Sequence, residues 1–166
     1  MNYLKEQLLS DTILIDTSKI TRTKNIEGYI EKYISNNYEN KCDNNSFIVK
    51  DTTELVNRSI GLVRTIDRKN YIEYKIIFKV KSITPSIGDI FKTKINSITK
   101  MGIISYLKMD DKMTIDKSPI IFIIPNEYIN DNKYNIDDNL SVKVLNIRSR
   151  FKGKQIQIIS EINESV

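Results

Sequence analysis

From residue 71 to residue 83 the chain reads YIEYKIIFKVKSI, in which Ile72, Tyr74, Ile76, Phe78 and Val80 alternate with Glu73, Lys75, Lys79 and Lys81. A period of two puts the apolar set on one face and the charged set on the other, which predicts a long half-buried strand. The same alternation predicts strands over 11–16, about 46–50 and about 59–66, with a polar turn at Asp67–Asn70. Residues 24–38 follow a different rule. Ile26, Tyr29, Ile30, Tyr33 and Ile34 recur at helical spacing, so one apolar stripe faces a core and the segment is an amphipathic helix.

Pro85, Ser86 and Gly88 cluster in TPSIGD, and Pro85 cannot donate to a central ladder, so the chain divides there. Residues 1–84 form an α+β domain of strand, helix and three strands. Residues 85–166 are nearly all strand, with segments at about 88–99, 103–109, 119–124, 139–150 and 153–161. A single helical turn is expected at 125–129, and RFKGKQ around Gly153 reads as a hairpin turn. Five strands with one short helix after the third predict an all-β Greek-key OB barrel.

Composition narrows the chemistry. The 166 residues include one cysteine, Cys42, and no histidine, which excludes an intramolecular disulfide, a Cys/His zinc site and histidine-based triads. Asp110–Asp111 and Asp137–Asp138 are adjacent pairs in polar loops; neighbours on extended chain point apart, so neither is read as a catalytic pair. No apolar run approaches the roughly 18 residues of a membrane span, and MNYLKEQLLSD lacks a signal-peptide core. The expectation is a soluble intracellular protein with no cofactor and no metal. A net charge of +5 favours a polyanionic partner only if the cations cluster, because the heavy use of Ile, Asn and Lys reflects an AT-rich coding composition.

Alternation sorts the barrel faces. Phe91, Thr93 and Ile95 share one side, and Lys92, Lys94 and Asn96 the other. Ile103, Ser105 and Leu107 oppose Ile104, Tyr106 and Lys108. Cations for phosphates and flat rings for bases are what single-stranded RNA requires. The candidates are Lys92, Lys94, Ile104, Tyr106 and Lys108 on the first two strands, and Arg148, Arg150, Lys152 and Lys154 around the last hairpin. Tyr106 and Phe122 are the candidate stacking rings. Two bland readings stand beside these: alternating lysines also form solvated or edge-protecting faces, and PIIFII also reads as a buried run holding Phe122.

GDIFKTKINSITKMGIISYL, IIFIIPNEYI and NLSVKVLNIRSRFKGKQIQIISEI together resemble the S1-type RNA-binding OB domain. Preceded by IGLVRTI and by YIEYKIIFKVKSITPSIGDI at the junction, the ordered set resembles the RNA polymerase stalk subunits. These are the seventh subunit of eukaryotic RNA polymerase II and its archaeal counterpart, and the likeness spans about residues 8–162. Ile104 and Met101 stand where many S1-type domains have aromatic residues. The resemblance implies a non-catalytic stalk subunit whose N-terminal tip domain docks on the polymerase core subunits. It also implies a small helical, fourth-subunit-like partner and nascent single-stranded RNA lying along the OB domain. Gly61 matches a glycine of the family's tip segment, and Arg64, Arg68 and Lys69 in RTIDRKN are the accompanying docking candidates. Such a subunit works in the nucleus if cellular, or in a cytoplasmic factory or virion if viral. The rival readings are a free S1-type factor of translation or RNA decay, and an RNA-processing enzyme; the first leaves the N-terminal domain unused and the second lacks a constellation of catalytic groups.

Overall fold

A computed structural model describes residues 3–22, 24–130 and 133–164. The chain forms two compact units. One is Met1–Glu39 with Ile48–Ile83, and the other is Asn40–Phe47 with Thr84–Val166. The last change of unit along the chain falls between Ile83 and Thr84. The segment 40–47, grouped with the N-terminal part from sequence, belongs instead to the second unit.

In the first unit, strand β1 (Leu4–Asp16) leads into a short helix α1 (Thr17–Ile20) and then helix α2 (Ile26–Tyr38). Helix α2 starts where the Asn25 side chain accepts the Gly28 N–H, satisfying one of the donors a helix start leaves open. Later in the chain come β4 (Glu54–Arg58), β5 (Leu62–Ile66) and β6 (Lys69–Ile83), after two three-residue strands, β2 (Lys41–Asp43) and β3 (Ser46–Ile48). β6 is the axis: β1 pairs along its whole length on one edge, and β4 and β5 pair with it in succession. The alternation in β6 is realised, with Tyr74, Ile76, Phe78 and Val80 buried. Ile30 and Ile34 of α2 pack on them with Ile13, Ile15 and Ile48. Each fully buried isoleucine is worth about 1.5–3 kcal/mol of transfer free energy. Tyr38 lies 4.8 Å from the Phe78 ring and its hydroxyl donates to Asp11 at 2.7 Å, so a carboxylate on β1 has a partner from the helix.

Two differences from the sequence reading arise here. The strand expected at 59–66 starts at Leu62 as β5, because Ser59–Gly61 form the link from β4, a strand at Glu54–Arg58 that the sequence reading did not contain, with Gly61 pressed on β6. The strand expected at 11–16 begins seven residues earlier, at Leu4, because β6 offers a partner for every residue back to that point.

The second unit contains β7 (Ile90–Thr99), β8 (Gly102–Tyr106), β9 (Ile120–Pro125), β10 (Asn139–Arg148) and β11 (Ile156–Ile162). They close a five-stranded barrel in the order β10-β11-β9-β8-β7, with β11 parallel to β9 and the other pairs antiparallel. The third strand thus neighbours the fifth, and the fourth returns to the first, which is an OB-like arrangement. Bulges between Ile95 and Ser97 and between Val144 and Asn146 bend the strands so that the sheet can close. The interior holds Phe91, Ile95, Ile103, Phe122, Ile124, Val142, Val144, Ile156 and Ile158. The expected helical turn after the third strand is a 3-10 turn at Asn126–Tyr128.

Two glycines make the barrel's entry possible. Gly88 has φ +92° and its N–H donates to Val144 O at 2.9 Å, while Val144 N donates back to Asp89 O at 2.9 Å. Gly102 has φ +145°, and a Cβ there would stand 2.1 Å from the Ile124 carbonyl oxygen, so β8 and β9 approach as closely as they do only because the side chain is absent. Among the described residues no helix is long and apolar enough to cross a membrane.

Candidate nucleic-acid interface

The registers of the barrel align its outward side chains in rows, because residues facing one another across paired strands share a face. One row runs Lys94, Tyr106, Ile121, Gln157, Arg148; the next runs Ser97, Ile104, Ile123, Ile159, Asn146. The first-strand alternation holds: Phe91, Thr93 and Ile95 are buried, Lys92 is exposed, and Lys94 and Asn96 are half-buried.

The β7–β8 face is poorly equipped for RNA. Lys94 is bonded to Asp137 at 2.9 Å, and that hydrogen bond holds its ammonium pKa above the usual lysine value. Lys108 faces Asp111 at 3.3 Å. Both charges already have acidic neighbours, leaving Lys92 as the cation of this face without an ion pair among the described residues. Tyr106 is corrected as a stacking candidate, and for Phe122 it is the buried reading of PIIFII that holds. Tyr106 is on the outward side but only 7% exposed, with its hydroxyl 3.5 Å from the Met113 carbonyl of the returning 107–119 loop. Phe122 is fully buried, 5.4 Å from Phe91 across the barrel interior. Ile104 is half-buried and aliphatic.

The β10–β11 connection is different. Arg148, Arg150, Lys152 and Lys154 are all exposed, and none forms an ion pair among the described residues. At the tip of the same loop stands Phe151, 70% exposed, with the Lys152 ammonium 5.7 Å from its ring centroid. Strand alternation does not single out Phe151, although an aromatic residue flanked by cations in RFKGKQ is placed where it cannot reach a core.

The loop is held in shape. Gly153 N donates to Arg150 O at 2.8 Å, closing a turn whose third residue, Lys152, has φ +56°. That left-handed conformation costs a side-chain-bearing residue about 1–2 kcal/mol. It is offset by β2. Lys152 N donates to Cys42 O and Cys42 N donates to Gly153 O, each at 2.8 Å. Asn44 and Asn45, both with positive φ, form the two-residue turn between β2 and β3, and Asn45 Oδ1 accepts the Ser149 hydroxyl at 2.5 Å. Burial raises the Cys42 thiol pKa to about 11, so this cysteine is inert at neutral pH.

The docking candidates of the first unit lie on one stretch. A Cβ on Gly61 would meet Ile72 Cγ2 at 2.5 Å and the Tyr74 ring at 3.1 Å, so packing alone requires the glycine. Arg64 is engaged with Glu73 through two contacts, at 3.2 and 3.3 Å. Arg68 and Lys69 are exposed; Asp67 and Arg68, both with positive φ, turn the β5–β6 hairpin. The sheet face away from α2 exposes Leu8, Leu14, Leu62, Ile66 and Ile77.

Asp110 and Asp138 accept backbone N–H groups of their own loops, and Asp137 meets Lys94. Among the described residues no three His, Cys, Asp or Glu side chains are grouped to hold a metal ion. No family model matches the chain, and no curated protein matches it.

Proposed function

We propose that this protein is a non-catalytic stalk subunit of a multisubunit DNA-directed RNA polymerase. Its first unit serves as the tip domain that docks on the core enzyme, and its barrel serves as an S1-type domain that contacts nascent single-stranded RNA. The observation that carries the RNA half is the OB-like barrel with an exposed phenylalanine and four cations on one loop, none of them ion-paired among the described residues. Cations that follow phosphates and a ring that takes a base are the two elements of single-strand binding. The order of the units supports the polymerase half. Strand β1, helices α1 and α2 and strands β2 to β6 precede the barrel strands in the chain, and in the stalk family a strand-and-helix domain also precedes the S1-type domain. The sheet face of the first unit away from α2, with Leu8, Leu14, Leu62, Ile66 and Ile77 exposed among charged side chains, offers surface for a large partner. The small helical partner subunit belongs to the same proposal.

Affinity capture of tagged protein from its native cell or virus, with identification of the co-purifying chains, tests it. Recovery of the large polymerase subunits with a small helical chain is the expected result. Recovery of ribosomal or RNA-decay proteins, or of RNA alone, would overturn the stalk assignment in favour of a free S1-type RNA-binding factor.

A further inference from the structure

Between the Asn44–Asn45 turn and the 149–155 loop lies a groove of roughly 800 Å³, lined by residues that include Asn45, Arg148, Arg150, Lys154, Gln155 and Gln157. All of it belongs to the second unit. We propose that this groove binds the phosphodiester backbone of single-stranded RNA, with one base stacked on Phe151. RNA would then leave the β7–β8 face untouched. The proposal rests on the RNA-contact half of the function proposed above, and not on the polymerase half.

The donors are arranged for an anion. Arg148, Arg150 and Lys154 contribute three positive charges with no acidic partner among the described residues. Asn45 Oδ1 is occupied by the Ser149 hydroxyl, which leaves its amide N–H groups to donate to a phosphate oxygen. Gln155 Nε2 is occupied in the opposite sense, donating to the carbonyls of Ile115 and Ser118 at 2.6 and 2.9 Å, which leaves its amide oxygen as an acceptor for a ribose 2′-hydroxyl. A groove that supplies several donors and one acceptor suits ribose-phosphate better than phosphate alone. The groove also exists before any ligand arrives. Cys42 brackets Lys152 and Gly153 with two backbone hydrogen bonds, so binding does not have to order the loop. Phe151 is the exposed aromatic on this loop; the Lys152 ammonium lies over one face of its ring, and the opposite face is the platform for a base.

The test is fluorescence anisotropy of a labelled uridine oligomer of about 12 nucleotides, a length within the site size of one OB fold, with the full chain. Salt is varied between about 50 and 200 mM. The wild type should bind the single strand more tightly than a duplex of the same length. Three neutralised phosphates give a slope of log K against log salt near about −2, and Arg148→Gln with Arg150→Gln should flatten it to about −0.7. Phe151→Ala and Phe151→Leu should each weaken binding by about 5- to 100-fold with the salt slope unchanged, which a generally unfolded loop would not do. Lys133→Gln, an exposed charge removed elsewhere on the barrel unit, should bind as the wild type. If the wild type binds no RNA at the lowest salt, the groove and the RNA half of the proposed function both fall. If it binds, but Lys92→Gln with Lys94→Gln abolishes binding while the loop variants keep it, the groove is wrong and RNA contact by the barrel stands. Equal binding of duplex and single strand would overturn the stacking on Phe151.

Discussion

Replacing Gly102 by alanine should destabilise the barrel far more than replacing Gly88, although both glycines have positive φ. At Gly88 the added methyl meets nothing within 4 Å, so the cost is the left-handed backbone alone, about 1 kcal/mol. At Gly102 the backbone, with φ +145°, is less accessible to an alanine, and the Cβ would lie 2.1 Å from Ile124 O and 3.1 Å from the Pro125 Cα. Neither is the end of a flexible side chain. Relief requires β8 to move away from β9, where Gly102 faces Pro125 and Ile103 faces Ile124. Backbone strain of about 1–3 kcal/mol and overpacking of about 1–3 kcal/mol together give roughly 2–6 kcal/mol. Urea unfolding followed by circular dichroism reads the difference. With a slope of about 1 kcal/mol/M for a unit this small, Gly102→Ala should lower the barrel midpoint by at least about 2 M and Gly88→Ala by roughly 1 M. Equal midpoints for the two variants would refute the close approach of β8 to β9.

Three further outcomes follow from single side chains. The Ser160 hydroxyl is buried in the barrel with no hydrogen-bond partner among the described residues, so Ser160→Ala should raise the thermal midpoint by an amount equivalent to about 1 kcal/mol; a lower midpoint would mean that the hydroxyl is satisfied. Burial pushes the Glu39 pKa up, but bonds from the Thr53 hydroxyl, the Asp51 and Thr53 backbone and the Ser35 hydroxyl outweigh it, so the folded pKa lies below 4.5. Its contribution is then complete above pH 4.5 and lost as pH falls through the folded value, so Glu39→Gln should be less stable than wild type at neutral pH and converge with it in acid; a gap that widens in acid would reverse the sign. With its thiol pKa raised to about 11 and 2% of its surface exposed, Cys42 should resist a thiol reagent at mildly alkaline pH until urea unfolds the barrel, and rapid stoichiometric labelling of the native protein would contradict its burial.

Much of the scaffold was legible because burial on one side of a strand or helix imposes a period. The face of β6, the stripe on α2 and the inward set of β7 were all readable from residue type. What was not legible depends on contacts distant in sequence. Tyr106 has the right parity for the outer face, yet the 107–119 loop returns over it, and no pattern in the strand announces that cover. The Asn-rich stretch around Asn44 reads as a loop, but Cys42 finds its ladder partner more than a hundred residues away at Lys152. Nor does KCD carry enough alternation to predict a strand. The basic loop stands out by its charge, whereas Phe151 as its exposed ring and Asn45 as part of the same groove come only from the fold.

The excursion of residues 40–47 into the second unit has a consequence for how the chain comes to be made. The path passes between the units three times rather than once. During synthesis the β2–β3 hairpin emerges early and must wait for about a hundred residues before Lys152 and Gly153 exist to receive it. Contacts of such long sequence separation form late and slow folding. Barrel strands can pair before this hairpin is seated, but the 149–155 loop acquires its final shape only when the earliest and latest parts of the chain meet. A barrel produced from residue 85 onward would therefore lack the backbone partner of Lys152. Its basic loop would be without the brace that sets it, so the shape of that loop is inherited in part from sequence that precedes the barrel.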